Sequence, residues 1–326
     1  MVACGGRLGL EDVEPVADTG PVDAGPDTNV AGTTAVFAVS LFRIGITTRA
    51  GETSDTAWKE LGFNLDGLCT SASDSKGSCT PTEGSKPAAL ADGNDCLDNN
   101  FGSQLVPLIK GLDGAAETKI VDGIKKGGLT LVLRIDDLAP SGDDGGAPGA
   151  IFAAKAGSGK AALDGTDAWD VDPGSVTGGD LGKPVARLTG VVVTVGGRRV
   201  WRGRADRLDL PAVFIAGATG TVPLSGLRLE IDLETKIGNL GGYALVTDIQ
   251  KIVGGVLAQR SLCPGNILYE QVMKNILQGA DMPTALPQDP AQVCASLSLG
   301  LGVEVVSGTI GKVLPPSEPK PNPCTK

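Results

Sequence analysis

Glu230, Asp232 and Glu234 occupy every second position of the stretch RLEIDLE. On an extended strand this spacing puts three carboxylates on one face, opposite Leu229, Ile231 and Leu233. Paired carboxylates so placed can act as nucleophile and as acid/base in glycoside hydrolysis. The plain alternative is the solvated face of a half-buried strand. A second oxygen-rich set is Asp92, Asn94, Asp95, Asp98, Asn99 and Asn100, with Asn64 and Asp66 upstream in GFNLDG. Calcium takes about six to eight oxygens from carboxylates, amides and carbonyls. These residues do not follow the EF-hand spacing, so the signal is one of composition, and the same residue types build turns. Asp143 and Asp144 form a smaller oxygen pair. The third set is basic: Arg198, Arg199, Arg202, Arg204 and Arg207 around Trp201. Guanidinium groups grip phosphate or carboxylate through paired planar contacts, which suits an anionic glycan or a lipid phosphate. Its plain alternative is the exposed side of a hairpin in a very acidic chain.

Histidine is absent from all 326 residues. Ser-His-Asp triads, Cys-His dyads and His-ligated zinc are therefore excluded. The net charge of −10 argues against a nucleic-acid surface, which is held by clustered Lys and Arg. Two short motifs fail on inspection. Gly157-Ser-Gly-Lys160 has Ala154 where a phosphate loop needs its leading glycine, and it lacks the trailing Ser or Thr. Ser73-x-x-Lys76 lies in a cysteine-bearing loop with no companion motif.

The elements that must carry these residues are mostly strands. The chain holds 48 Gly and 21 Pro, which punctuate short elements. Strands are predicted at 33–47, 129–138, 149–157, 210–218, 222–234, 241–249 and 298–310, from β-branched or alternating apolar runs. The run 186–203 reads as a hairpin turning at Gly196-Gly197. A short helix is expected over 104–126, and two more at 249–259 and 267–277, where apolar residues recur at helical spacing. The sum is a mostly β sandwich or jelly-roll-like body with a small helical insertion near its end. Residues 1–30 form a stub and an acidic tether, residues 31–313 a single body, and residues 314–326 a Pro-rich tail.

Seven cysteines occur, and none forms a Cys-x-x-Cys pair. Setting Cys4 aside leaves Cys69, Cys79 and Cys96 in one half and Cys263, Cys294 and Cys324 in the other. Three disulfides in an oxidising compartment suit this count. If all six pair, at least one bridge must join the halves, which favours one integrated body.

Met1-Val-Ala-Cys4-Gly5 resembles a bacterial lipobox, in which the cysteine is lipidated and becomes the mature N-terminus. The charged and apolar regions of a signal peptide are not present before it. Residues 5–30 carry six acids against Arg7, with three prolines and no aromatic residue. Such a segment buries too little apolar surface to order itself and serves as a solvated tether. The whole resembles uncharacterised bacterial lipoproteins with an acidic post-cysteine tether and a disulfide-rich body. That resemblance implies an exported, outer-membrane-anchored protein, since Gly5 stands where an inner-membrane retention Asp could sit. It implies no activity. The leading expectation is a non-enzymatic binding or structural module with calcium as its candidate ion. The alternative is a carboxylate-dependent hydrolase, because the E-x-D-x-E run resembles the catalytic strand of jelly-roll β-glucanases. By that resemblance Glu230 would be the nucleophile, Glu234 the acid/base and Asp232 a helper. Sugar sites also want aromatic platforms, for which Trp58, Trp169 and Trp201 are the candidates.

Overall fold

The computed structural model describes residues 32–74, 77–85, 90–112, 114–215, 220–316 and 323–324. Cys4 and the tether lie outside the described residues, as do Lys76 and most of the tail.

Ten strands form one sheet: β1 Thr33–Arg43, β2 Thr130–Leu138, β3 Gly149–Ala156, β4 Ala168–Val171, β5 Ala186–Val195, β6 Arg198–Pro211, β7 Thr221–Asp232, β8 Ile237–Leu245, β9 Ser296–Ser307 and β10 Thr309–Val313. Eight of them follow in the order β3-β2-β1-β9-β8-β7-β6-β5, every neighbour antiparallel. The ring closes because β5 also pairs with β3, through Gly149–Leu188, Ala150–Arg187 and Ile151–Ala186. The body is therefore a closed eight-stranded antiparallel barrel, which corrects the expected sandwich or jelly roll. Strand length and face alternation are common to both architectures, and only the long-range β3–β5 pairing separates them. At its other end β3 pairs with β4, which pairs in parallel with β10, so these two strands form a flap beside the barrel.

An eight-stranded barrel is just wide enough for side chains to fill it. Leu133, Ile151, Leu188, Trp201, Leu229, Ile231, Leu240, Leu301 and Val303 are all buried. Trp201 sits at the closing seam. A Cβ on Gly149 would meet its ring at 2.7 Å, and one on Gly203 at 2.2 Å. One on Gly190 would meet the indole nitrogen at 2.7 Å. Three strands thus omit a side chain to admit one indole, whose Nε1 donates to the Ala147 carbonyl at 2.8 Å.

The hairpin forms where the sequence reading places it. Gly196 and Gly197 both have positive φ and join β5 to β6 through the Val195–Arg198 pair. The expected strand over 210–218 does not form as such. β6 runs on to Pro211, and residues 212–215 turn back, burying Phe214. β1 ends at Arg43, earlier than expected, and β4 was not foreseen.

Among the described residues, four α-helices fill two connections. A π-helical turn at Phe101–Leu105 leads into α1 Val106–Leu112 and then α2 Ala116–Lys125, between β1 and β2. α3 Val246–Gln259 and α4 Ile267–Gln278 lie between β8 and β9, close to the helical insertion expected there. No helix among the described residues is long and apolar enough to cross a membrane.

Three disulfides form. Cys69–Cys96 clips the long excursion between β1 and α1. Cys79–Cys294 ties that excursion to the segment before β9, across 215 residues. Cys263–Cys324 ties the α3–α4 connection to the tail. The second bridge joins the two halves, as parity requires.

Candidate functional site

The oxygen-rich residues divide into two groups. Asp66, Asp92 and Asp98 converge at the base of the excursion, whereas Asn94 and Asp95 stand exposed on a short turn outside. Asp98 is buried and pairs with Phe63 as an isolated antiparallel bridge. Its Oδ2 accepts the Leu65 N–H at 2.5 Å. Asp92 Oδ2 accepts the Thr70 N–H at 2.5 Å, and its own N–H donates to the Thr70 carbonyl at 3.0 Å. Asp66 accepts the Leu68 N–H at 2.8 Å and the Gln288 side-chain amide at 2.8 Å. Asn64 closes its own turn, accepting from Gly67 N and donating to the Leu68 carbonyl. Asn99 accepts from Gly102 N and Gly300 N and donates to the Trp58 carbonyl, fastening the excursion to β9.

A member that sequence reasoning missed is Asp281, buried after α4. It accepts the Ser298 N–H at 2.8 Å and also the Ser298 hydroxyl. It is a lone acid far along the chain, with no local signal to group it with the others. Burial, then the charges of Asp66 and Asp281, push the Asp98 carboxyl up to about 9, against the pull of the Leu65 N–H. Asp92, which shares a hydrogen bond with Asp98, is pushed up by burial to about 6. Asp281 is pushed up, again by burial first, to about 7. Asp98 therefore keeps its proton at neutral pH. Among the described residues, no set of three or more acidic, His or Cys side chains is arranged to hold a metal ion. Asp143 and Asp144 bind their surroundings too: Asp143 accepts the Thr194 hydroxyl, and Asp144 the N–H groups of Ala139 and Gly146.

The row of acids is also engaged. Glu230 and Asp232 lie on β7 and alternate with buried Leu229 and Ile231. Glu230 meets Arg202 at 2.9 Å, its cross-strand partner, and Asp232 meets Arg198 at 3.1 Å. Burial raises the Asp232 carboxyl, but the N–H groups of Thr235 and Glu234, with Arg198, outweigh it and hold the carboxyl below its usual range. Glu234 lies past the end of β7, in the turn, so the three acids do not share a strand face. Trp169 and Trp201 are fully buried and offer no platform.

Three of the five hairpin arginines have partners. Besides Arg198 and Arg202, Arg199 donates to the carbonyls of Ala139, Pro140 and Gly142. Arg204 and Arg207 remain exposed, and among the described residues their guanidinium groups make no hydrogen bond or ion pair. Both line a groove of about 610 Å³ at the closing seam. The groove exists because β5 gives its first three residues to β3 and pairs with β6 from Thr189 onward. Beyond Arg204, β6 therefore runs without β5 beside it. Arg134 and Arg187, which flank Ala150 in register across β2, β3 and β5, supply two more guanidinium groups. Asp136 and Asp206 also line the groove. Asp136 is bound by Arg134 at 3.0 Å, and Arg134 lies over the Phe152 ring. On the far side of Arg204 stands its cross-strand partner Arg228, whose pKa is lowered by burial and further by the charge of Arg204.

No family model, no curated protein and no solved structure matches this chain.

Proposed function

We propose that this is an exported bacterial envelope protein, anchored through a lipid on Cys4 and set off from the outer membrane by residues 5–30. Its barrel acts as a binding module with no reaction of its own. The observation that carries this reading is the Cys79–Cys294 bridge. Both cysteines are buried, and the bond spans 215 residues, so the body is built around a crosslink that forms where thiols oxidise. The small residue, Cys and Gly at positions 3–5, followed by an acidic Pro-bearing stretch, support the anchor. The engagement of Glu230 and Asp232 with arginines supports binding over turnover, because a hydrolase needs its carboxylates free to meet substrate.

The test is the redox state of the protein in fractionated cells of its native host. A thiol-reactive polymer added under denaturing conditions should leave Cys69, Cys79, Cys96, Cys263, Cys294 and Cys324 unmodified, in the membrane fraction. Six reactive thiols in a cytoplasmic fraction would overturn the reading.

A further inference from the structure

The barrel's seam carries unspent positive charge in a protein with 38 acids against 28 bases. Four arginines, Arg134, Arg187, Arg204 and Arg207, and two acids, Asp136 and Asp206, line one groove. Arg134 and Asp136 satisfy each other. Among the described residues, Arg187 reaches only the Gly182 carbonyl, at 3.1 Å. Arg204, Asp206 and Arg207 are near neighbours on β6, all exposed and all lining the groove. Exposed like charges held side by side cost stability unless something answers them, and Arg204 sits next to Arg228 as well.

From this we infer that the groove is a binding site for a sugar acid, a uronic-acid-bearing segment of an acidic glycan. The inference rests on the reading of the barrel as a binding module and names its ligand class. Three features favour a sugar acid over a bare oxyanion. Arg204 and Arg207 offer paired planar donors that match a carboxylate. Asp206 and the exposed Thr189 hydroxyl accept hydrogen bonds, which the several hydroxyls of a sugar ring supply and a fully ionised phosphodiester headgroup does not. Pro148, Pro184 and Ala205 give apolar wall for the C–H faces of a ring. The volume lies within the range of about 300–1,000 Å³ typical of small-ligand sites. A lipid surface is disfavoured, because the groove is recessed and carries Asp206 where a phosphate layer would press.

The experiment titrates the disulfide-intact protein with digalacturonic acid, the neutral disaccharide of the same linkage, inorganic phosphate and phosphatidylglycerol vesicles. Heat or an NMR shift is read out. Digalacturonate should bind, weaken at least tenfold in Arg204→Glu/Arg207→Glu, and weaken as salt rises. The neutral sugar and phosphate should bind at least tenfold more weakly than digalacturonate. Asp206→Asn should weaken digalacturonate. All three substituted residues are exposed, and a cooperative melt no lower than that of the wild type confirms that the variants are folded. No digalacturonate binding, binding untouched by the charge reversal, or phosphate or vesicles binding as well as the sugar acid would each overturn the ligand assignment. The envelope reading would stand or fall separately, on where the protein is found and on its thiols.

Discussion

Replacing Asp98 by asparagine should stabilise the protein at neutral and alkaline pH and leave it little changed near pH 4. In the folded chain burial and neighbouring carboxylates raise this group from the ordinary 3.8 to about 9. A raised carboxyl favours folding in its protonated form. Its contribution is complete below the unfolded value and is lost as pH climbs through the folded one. Between pH 3.8 and 7 the loss amounts to about 4 kcal/mol, at about 1.4 kcal/mol per pH unit. Asp92 and Asp281, raised to about 6 and about 7, add to the slope over the lower part of the same window. Carboxyls held below their usual range, such as Asp55, Asp164 and Asp232, act below pH 4 and do not mask it. Asparagine keeps an oxygen for the Leu65 N–H and an N–H for Asp92, and it needs no proton. Because the proton is shared with Asp92, the variant should recover about half of the loss, or about 2 kcal/mol at pH 7. Urea unfolding at pH 4.5, 7 and 8.5, with disulfides intact, reads this directly. Wild type should lose stability as pH rises and Asp98→Asn should lose less. Parallel slopes, or a variant destabilised equally at every pH, would show that Asp98 is ionised in the fold.

Cys79→Ser should lower stability by about 5 kcal/mol, from the chain-entropy cost of the loop it closes, measured by the shift in urea midpoint. Glu117, buried on α2, accepts the N–H groups of Ile44, Gly45 and Ile46 and the Thr47 hydroxyl where β1 leaves the sheet. Glu117→Gln should cost about 2 kcal/mol in the same measurement, and a neutral result would mean that these donors find other acceptors. Gly203→Ala should destabilise by about 1–3 kcal/mol, since its Cβ would overlap the Trp201 ring, and near-ultraviolet circular dichroism should lose part of the tryptophan signal. Thermal melts in EDTA and in a few millimolar Ca²⁺ should coincide, because the loop carboxylates are bound to backbone and to each other. A calcium-dependent rise that vanishes in Asp92→Asn would assign these residues to metal binding.

Much of the strand layout is legible from local pattern. Leu229, Ile231 and Leu233 alternate with acids, and Gly196-Gly197 can adopt the positive φ of a tight hairpin. Cysteine parity likewise requires a bridge between the halves, which Cys79–Cys294 provides. The closure of the barrel is not legible. It depends on β3 meeting β5 and on Gly149, Gly190 and Gly203 making room for Trp201, three glycines that look like any others in a glycine-rich chain. Phe214 and Ile215 read as strand because they are apolar, yet they are apolar because they close over Phe101 and the helices. Partner choice is equally hidden. Whether an arginine is spent or free depends on cross-strand register, so Arg202 and Arg204 look alike in sequence and differ entirely in the fold. The acidic cluster was half visible: the loop carboxylates are close in sequence, but Asp281, which holds Ser298 and adds charge to the cluster, is not.

On the proposed reading, the barrel works outside the cytoplasm on a lipid tether. The most direct test of that reading is the mass of the N-terminal peptide of the protein isolated from its native host, expressed from its full reading frame. The expected peptide begins at Cys4, carries diacylglycerol or an added acyl chain, is recovered from outer membranes and is lost in Cys4→Ala. An unmodified peptide that retains Met1, in protein recovered from the cytoplasm, would contradict it.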